Sequence, residues 1–279
     1  MTAERSHLAA QPTSPTAANR RETWATGDYG IVATRIVLVA EQLCESADLQ
    51  ATWRVLDVAT GTGNAALAAA RRGCRVIGLD FVPALLEQRR RRAAVERLEV
   101  EFVKGDAENL PFADGEFDAV ISVFGVMFAP DHRRAAAEMA RVCRRGGRIA
   151  LASWTPNGYA GQMFKTIVSR VPPSPGVQPP VLWGDESHLR ELFSGLATID
   201  GSVERMAVLR APSAEEHVEF FKTNFGPMIR GFAALDAAGQ EELRQALVAL
   251  ARQHDRNRGL HGPPVAMPSA YLETVLTRM

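Results

Sequence analysis

The chain has 279 residues, 46% of them hydrophobic and 23% charged, enough to bury one large α/β core with an elaboration on it. Its 32 Lys and Arg balance 32 Asp and Glu, so it lacks the basic footprint of a nucleic-acid or anionic-membrane partner. Cys44, Cys74 and Cys143 lie far apart and form no CxxC, which argues against a disulfide frame or zinc site and for reduced thiols. With no apolar run of the ~18 residues that suggest a membrane span and no signal-peptide layout, a cytoplasmic protein is expected.

Residues 1–20 are polar with Pro and Ser and are expected to be mobile. The apolar density from Tyr29 to Cys44 predicts a buried helix. Arg54–Val58 reads as a first strand, and the Ala-rich Asn64–Arg72 as a helix stopped by Gly73. Arg75–Leu79 is a second strand, and Pro83 opens a helix carrying Glu87 and the run Arg89–Arg92. Spread round a helix, with Glu87, Glu96 and Glu99 nearby, those arginines read as a solvated face. Leu98–Val103 and Ala119–Ser122 are further strands; Arg133–Cys143 is a helix closed by Gly146 and Gly147, and Arg148–Ser153 a fifth strand. Strand and helix alternating with short connections imply a doubly wound parallel α/β sheet, whose ligand sits beyond the strand ends near strand 1.

After Trp154 the rhythm breaks. PPSPGVQPP (172–180) reads as a loop, and a strand follows near Val203–Arg210. Ser213 with Glu216 makes a capping box for a helix to Phe225, and Asp236–Gln253 is a second helix with Leu243, Leu247, Val248 and Leu250 on one face. Tyr271–Thr277 alternates like a last strand, so helical residues at about 211–262 form an insertion between the final two strands.

The stretch VLDVATGTGNAAL (55–67) joins the first strand to its helix. Its glycines permit a tight turn and close approach of a ligand, and Asp80 ends strand 2 about twenty residues later. That much allows a dinucleotide. Asp57 favours another ligand, because an acid before the turn would repel a pyrophosphate and attract an ammonium or sulfonium. Asp106, directly after strand 3, is placed to accept from an adenine amine, with the Ala107 N–H facing a ring nitrogen.

DVATGTG (57–63), GLD (78–80), GDAENLPF (105–112), FDAVIS (117–122), FGVMFAPD (124–131) and RRGGRIALASW (144–154) stand in order over residues 54–154. In these motifs the chain resembles the class I S-adenosylmethionine-dependent methyltransferases, in the small-molecule, type 11-like branch similar to the ubiquinone and menaquinone methyltransferases. The resemblance implies a Rossmann-like seven-stranded sheet, its last strand (about 267–277) antiparallel, in one domain over 21–279 with the insertion as a helical cap. It implies S-adenosylmethionine as cofactor, with Asp57, Ala59, Gly61 and Gly63 around the methionine end and Asp80 on the ribose. Phe81 would lie against the adenine, Asp106 and Ala107 would read its edge, and the Val123 carbonyl would meet the ammonium. Trp24 and Tyr29 would belong to a lid, Tyr29 reaching the cofactor carboxylate. Many members have Gly where Ala59 stands; a methyl group fits there if the backbone stays in an ordinary region.

The implied reaction is in-line displacement of the sulfonium methyl by a small-molecule acceptor. Met127 and Phe128 would form an apolar floor for it, and Phe220, Phe221, Phe225 and Phe232 would help shape its pocket. His132 follows strand 4 and is the candidate base nearest the expected pocket, although an exposed position at a helix start is its simpler reading. His188, His217, His254 and His261 lie where no motif fixes their geometry. The strand 4 exit SVFGV lacks the Asn-Pro-Pro-aromatic arrangement of base-amine methyltransferases, and no His/Asp/Glu cluster suggests a metal. An NAD(P)-dependent oxidoreductase and a non-catalytic S-adenosylmethionine-binding protein are the alternatives, and a homodimer is an open arrangement.

Overall fold

Short apolar, β-branched runs separated by helix-forming segments have one economical solution, parallel pairing through crossover helices. The computed structural model describes residues 21–173, 176–257 and 264–279; the segment 1–20, His261 and the end of the expected cap lie outside the described residues. Its strands are β1 (Arg54–Val58), β2 (Arg75–Asp80), β3 (Val100–Lys104), β4 (Phe117–Val123), β5 (Cys143–Trp154), β6 (Ala197–Ala211) and β7 (Val265–Arg278). They form one seven-stranded sheet in the order β3-β2-β1-β4-β5-β7-β6. β1 to β5 are parallel, and β7 runs antiparallel to both β5 and β6. The strand order reverses between β1 and β4, so a crevice opens beyond the ends of these two strands.

The helices are α1 (Tyr29–Ala33), α2 (Val37–Ser46), α3 (Asn64–Arg71), α4 (Ala84–Val95), α5 (His132–Val142), α6 (Tyr159–Val168), α7 (Glu186–Leu192), α8 (Ala214–Asn224), α9 (Gly226–Ala233) and α10 (Ala237–His254). Residues 21–25 add a helical turn. Among the described residues no helix is long and apolar enough to cross a membrane. The centre of the sheet is dry, with Val55, Leu56, Ala119, Val120, Ile121 and Ile149 wholly buried.

The single helix expected from Tyr29 to Cys44 is broken. Residues Thr34–Ile36 tighten into a 3-10 turn, and Ile36 leaves the helical region at φ −127°. The β-branched run IVATRIV favours the helix weakly, and the break sends Arg35 to the Arg210 carbonyl of β6 at 2.6 Å. The irregular stretch after Trp154 contains α6 and α7. The first of these buries Tyr159, Ala160, Met163 and Ile167, a helical spacing hidden between Gly and Pro clusters. Between the two expected helices of the insertion lies α9, opened by Gly226 and Pro227. A Cβ on Gly226 would lie 1.9 Å from the Thr23 carbonyl oxygen, so close contact with the N-terminal segment requires glycine. Ser213 caps α8 as expected, accepting from the Glu216 N–H at 3.1 Å.

Candidate active site

The turn after β1 is held by two carboxylates. Asp57 is 1% exposed, and its Oδ2 accepts from Thr60 Oγ1 at 2.5 Å and from the Ala66 N–H, in the first turn of α3, at 2.9 Å. Asp80, at the end of β2, accepts from the Gly61 N–H at 2.7 Å and the Val82 N–H at 2.9 Å, one bond to each oxygen. Burial pushes Asp57 up to about 7 against the pull of its two hydrogen bonds, and the nearby Asp80 adds to the rise. Burial also raises Asp80, opposed by its N–H donors and by Arg89 4.0 Å away.

Arg89 corrects the expected solvated face. It is fully buried behind the glycine turn, donating to the Gly61 carbonyl at 2.9 Å, with its guanidinium carbon 5.3 Å from the Phe102 ring centre. Burial lowers it to about 10. Arg92 is half-buried and donates to the Thr62 carbonyl and to Asn64 Oδ1, both at 2.8 Å. Only Arg90 and Arg91 of the run are exposed.

Above the turn lies an open cleft. Ala59 and Gly61 form its floor, Asp80, Phe81, Val82 and Leu85 one wall, and Gly105, Asp106 and Ala107 another. Asp106 accepts from the Glu108 N–H at 3.0 Å, which fixes the turn carrying Ala107. The far wall is Phe124, Gly125, Val126 and Phe128, and Arg21, Trp24 and Tyr29 close the top. Trp24 packs edge-on against Tyr29, Phe128 and Phe225. Asp57 and Val123 line a smaller recess reached past Tyr29 and Ala59. Gly63 lies elsewhere: it precedes α3 at φ +87° and faces Arg89 and Phe102 beneath the turn.

Ala59 departs from the ordinary backbone that its methyl group was expected to need. At φ +55° it is left-handed, a conformation that costs a non-glycine residue about 1 kcal/mol. Across the crevice, Gly125 leaves it room: a Cβ there would lie 2.4 Å from the Ala59 carbonyl oxygen. Phe124 is also left-handed, at φ +53°, and stacks on Trp154 with centroids 3.9 Å apart. The sequence signalled neither Phe124 nor Gly125 beyond their place after β4.

A second, smaller chamber shares Tyr29, Phe124 and Phe128 with the cleft. Its other walls come from distant segments, including Val32, Met163, Phe164, Leu209, Phe221 and Phe225. Phe128 lines both spaces, whereas Met127, expected beside it, is fully buried and lines neither. Phe220 lies under Arg35, and Phe232 is buried beneath Lys222.

His132 lines neither space and is not exposed. It is 0% exposed, its Nδ1 is 3.0 Å from His188 Nε2, and its ring meets Trp183 edge-on. Burial and His188 lower it to about 4. Its place at the start of α5 turns it away from the crevice. Tyr29 does reach the cleft, and burial together with Asp80 pushes its phenol up to about 12.

Residues 56–151 match the family model described as a methyltransferase domain. The chain is 42% identical over 246 residues to an uncharacterized protein of Mycobacterium tuberculosis, covering 85% of this chain and 89% of that one. It is also 42% identical over 124 residues to the demethylmenaquinone methyltransferase of Thermus thermophilus, covering 43% of this chain and 56% of that enzyme. Among solved structures, YcgJ of Bacillus subtilis aligns with a TM-score of 0.57 at 21% identity, covering 85% of this chain and 97% of its own. The [4+2]-cyclase SpnF aligns with a TM-score of 0.58 at 20% identity, covering 86% of this chain and 80% of its own. Those two likenesses show the fold, and a cyclase among them shows that the sheet alone does not fix the reaction. The sequence matches do what the sheet cannot, and with the antiparallel last strand they place this chain among the class I S-adenosylmethionine-dependent methyltransferases.

Proposed function

We propose that the cleft holds S-adenosylmethionine and that the chain passes its methyl group to a small-molecule acceptor in the aromatic chamber. One observation carries the cofactor half. The first turn of α3, where a dinucleotide would rest its pyrophosphate, is occupied by the Asp57 carboxylate on the Ala66 N–H. Asp80 and Asp106 line the cleft against one cation, Arg21, among the described residues, so its charge suits an ammonium or sulfonium better than a phosphate. The ribose then falls to Asp80, the adenine to Phe81, Asp106 and Ala107, and the amino-acid end to the Asp57 and Val123 recess. Tyr29 closes that end as a hydrogen-bond donor, its phenol kept protonated.

When bound, the cofactor supplies an electrophilic methyl on sulfur. The chain aligns and dries the line of attack: Tyr29, Phe124 and Phe128 stand where cleft and chamber meet. No histidine or carboxylate lines the chamber among the described residues. Acceptors that are already nucleophilic at neutral pH fit such a site. The insertion acts as a cap, since α8 and the residue that ends it bring Phe221 and Phe225 to the chamber wall. The demethylmenaquinone relatives align over only 43% and 44% of this chain, so their acceptor is not carried over.

The test is transfer of tritium from methyl-labelled S-adenosylmethionine into a panel of phenols, hydroquinones, amines and carboxylic acids. Label in at least one apolar acceptor, absent in Asp80→Ala, supports the reading. Labelling of only small polar amines would contradict the apolar-chamber assignment, and tight cofactor binding with no labelling at all would contradict the transfer.

A further inference from the structure

The chamber behind Tyr29 and Phe128 is lined mainly by apolar side chains, with Arg35 as its one charged group among the described residues. Val32, Ile36, Leu209 and Phe221 contribute hydrocarbon and Met163 an apolar thioether, and Arg35 enters the wall from the 3-10 turn. The guanidinium is held in place: Nη1 donates to the Arg210 carbonyl at 2.6 Å, and the central carbon lies 3.8 Å from the centre of the Phe220 ring. Nε and Nη2 have no hydrogen-bond partner, and no carboxylate lies within 4.0 Å, among the described residues. Burial lowers the pKa of Arg35, and no acid offsets that pull. His217, close enough to feel Arg35, is 1% exposed and pushed down to about 3 by burial, so it stays neutral and adds no charge. Tyr29 is the other titratable group on the wall and is also uncharged at neutral pH.

A partly exposed guanidinium pinned at the wall of a mainly apolar chamber, with Nε and Nη2 left over, matches a carboxylate through two parallel N–H bonds. We propose that the chamber is a binding site for an amphipathic carboxylate, with the apolar body against the phenylalanines and the carboxylate on Arg35. Arg35 is then the specificity-determining residue for the acceptor. Only the word acceptor rests on the methyl-transfer reading of the neighbouring cleft.

The test titrates the full chain, saturated with S-adenosylhomocysteine, with 2-naphthoate against 2-naphthamide and decanoate against decanamide, following Trp fluorescence. The carboxylate should bind about tenfold or more tighter than its amide in at least one pair. That preference should fall below about threefold in Arg35→Gln and survive in Arg35→Lys, with S-adenosylhomocysteine affinity unchanged in both. Equal affinities in both wild-type pairs, no carboxylate binding, or a preference that persists in Arg35→Gln would overturn the proposal. Should Arg35→Gln not fold, the wild-type pairs and Arg35→Lys decide. Carboxylate discrimination without S-adenosylhomocysteine binding would instead overturn the cofactor reading and leave the Arg35 site standing.

Discussion

The two halves of the site are made of different materials. In the half built on β1 to β5, the working groups are backbone amides and carboxylates at strand ends: Asp57 on Ala66, Asp80 on Gly61 and Val82, and Asp106 on Glu108. In the other half they are side-chain surfaces gathered from α1, α6, β6 and α8, with Arg35 as the one ionic group among the described residues. A backbone site tolerates little change in residue type, because a lost carboxylate orphans an N–H and an added methyl strikes a carbonyl. A side-chain chamber can be reshaped by substitution while the sheet stays intact. In the proposed reading, one face keeps its cofactor while the other changes acceptor.

The sharpest break would come at Asp80. Asp80→Ala removes the acceptor for two N–H groups and the counter-charge of Arg89, and should weaken S-adenosylhomocysteine binding by about 100-fold or more. A calorimetric loss below about fivefold would mean that the turn does not depend on this carboxylate. Gly125→Ala should follow. Its Cβ would press on the Ala59 carbonyl, and overpacking against backbone costs about 2–3 kcal/mol, visible in urea unfolding with a matching loss of cofactor affinity. Unchanged stability would show that the β1 and β4 ends are free to separate.

On the other side, Phe164→Ala enlarges the chamber without touching the cleft. It should raise the acceptor KM about tenfold and leave S-adenosylhomocysteine affinity within about twofold. Equal losses on both sides would erase the distinction between the halves. The smallest effect is one of pH. Asp57 has a folded pKa of about 7, above its ordinary value, so its contribution to stability is complete at low pH and fades as the pH rises through about 7. A cationic ligand favours the ionised form, so affinity for S-adenosylmethionine should rise by up to about tenfold from about pH 6 to about pH 8, with proton release. Calorimetry in two buffers of different ionisation enthalpy measures the release, and Asp57→Asn should abolish it.

The difference between the halves also explains what could be read in advance. The strand alternation and the strand-end positions of Asp80 and Asp106 were legible in local pattern and chain order, whereas the antiparallel last strand and the place of Phe81 came only from the family resemblance. Gly63, Met127 and His132 were placed in the site by their neighbours in sequence, and a turn of backbone directs each elsewhere. The burial of Arg89 was hidden because helical spacing alone does not reveal the Gly61 carbonyl that draws it in. The chamber was the least legible part, since its walls meet only through tertiary packing. One trace of it was present: Arg35 is a lone charge in the apolar run GIVATRIVLVA.

The most direct measurement is calorimetric titration of the full chain with S-adenosylhomocysteine and, separately, with NADH. A single site of about micromolar affinity for the thioether, with no heat from the dinucleotide, is expected from an α3 turn already occupied by Asp57. Binding of NADH with no binding of S-adenosylhomocysteine would contradict it and return the glycine turn to phosphate.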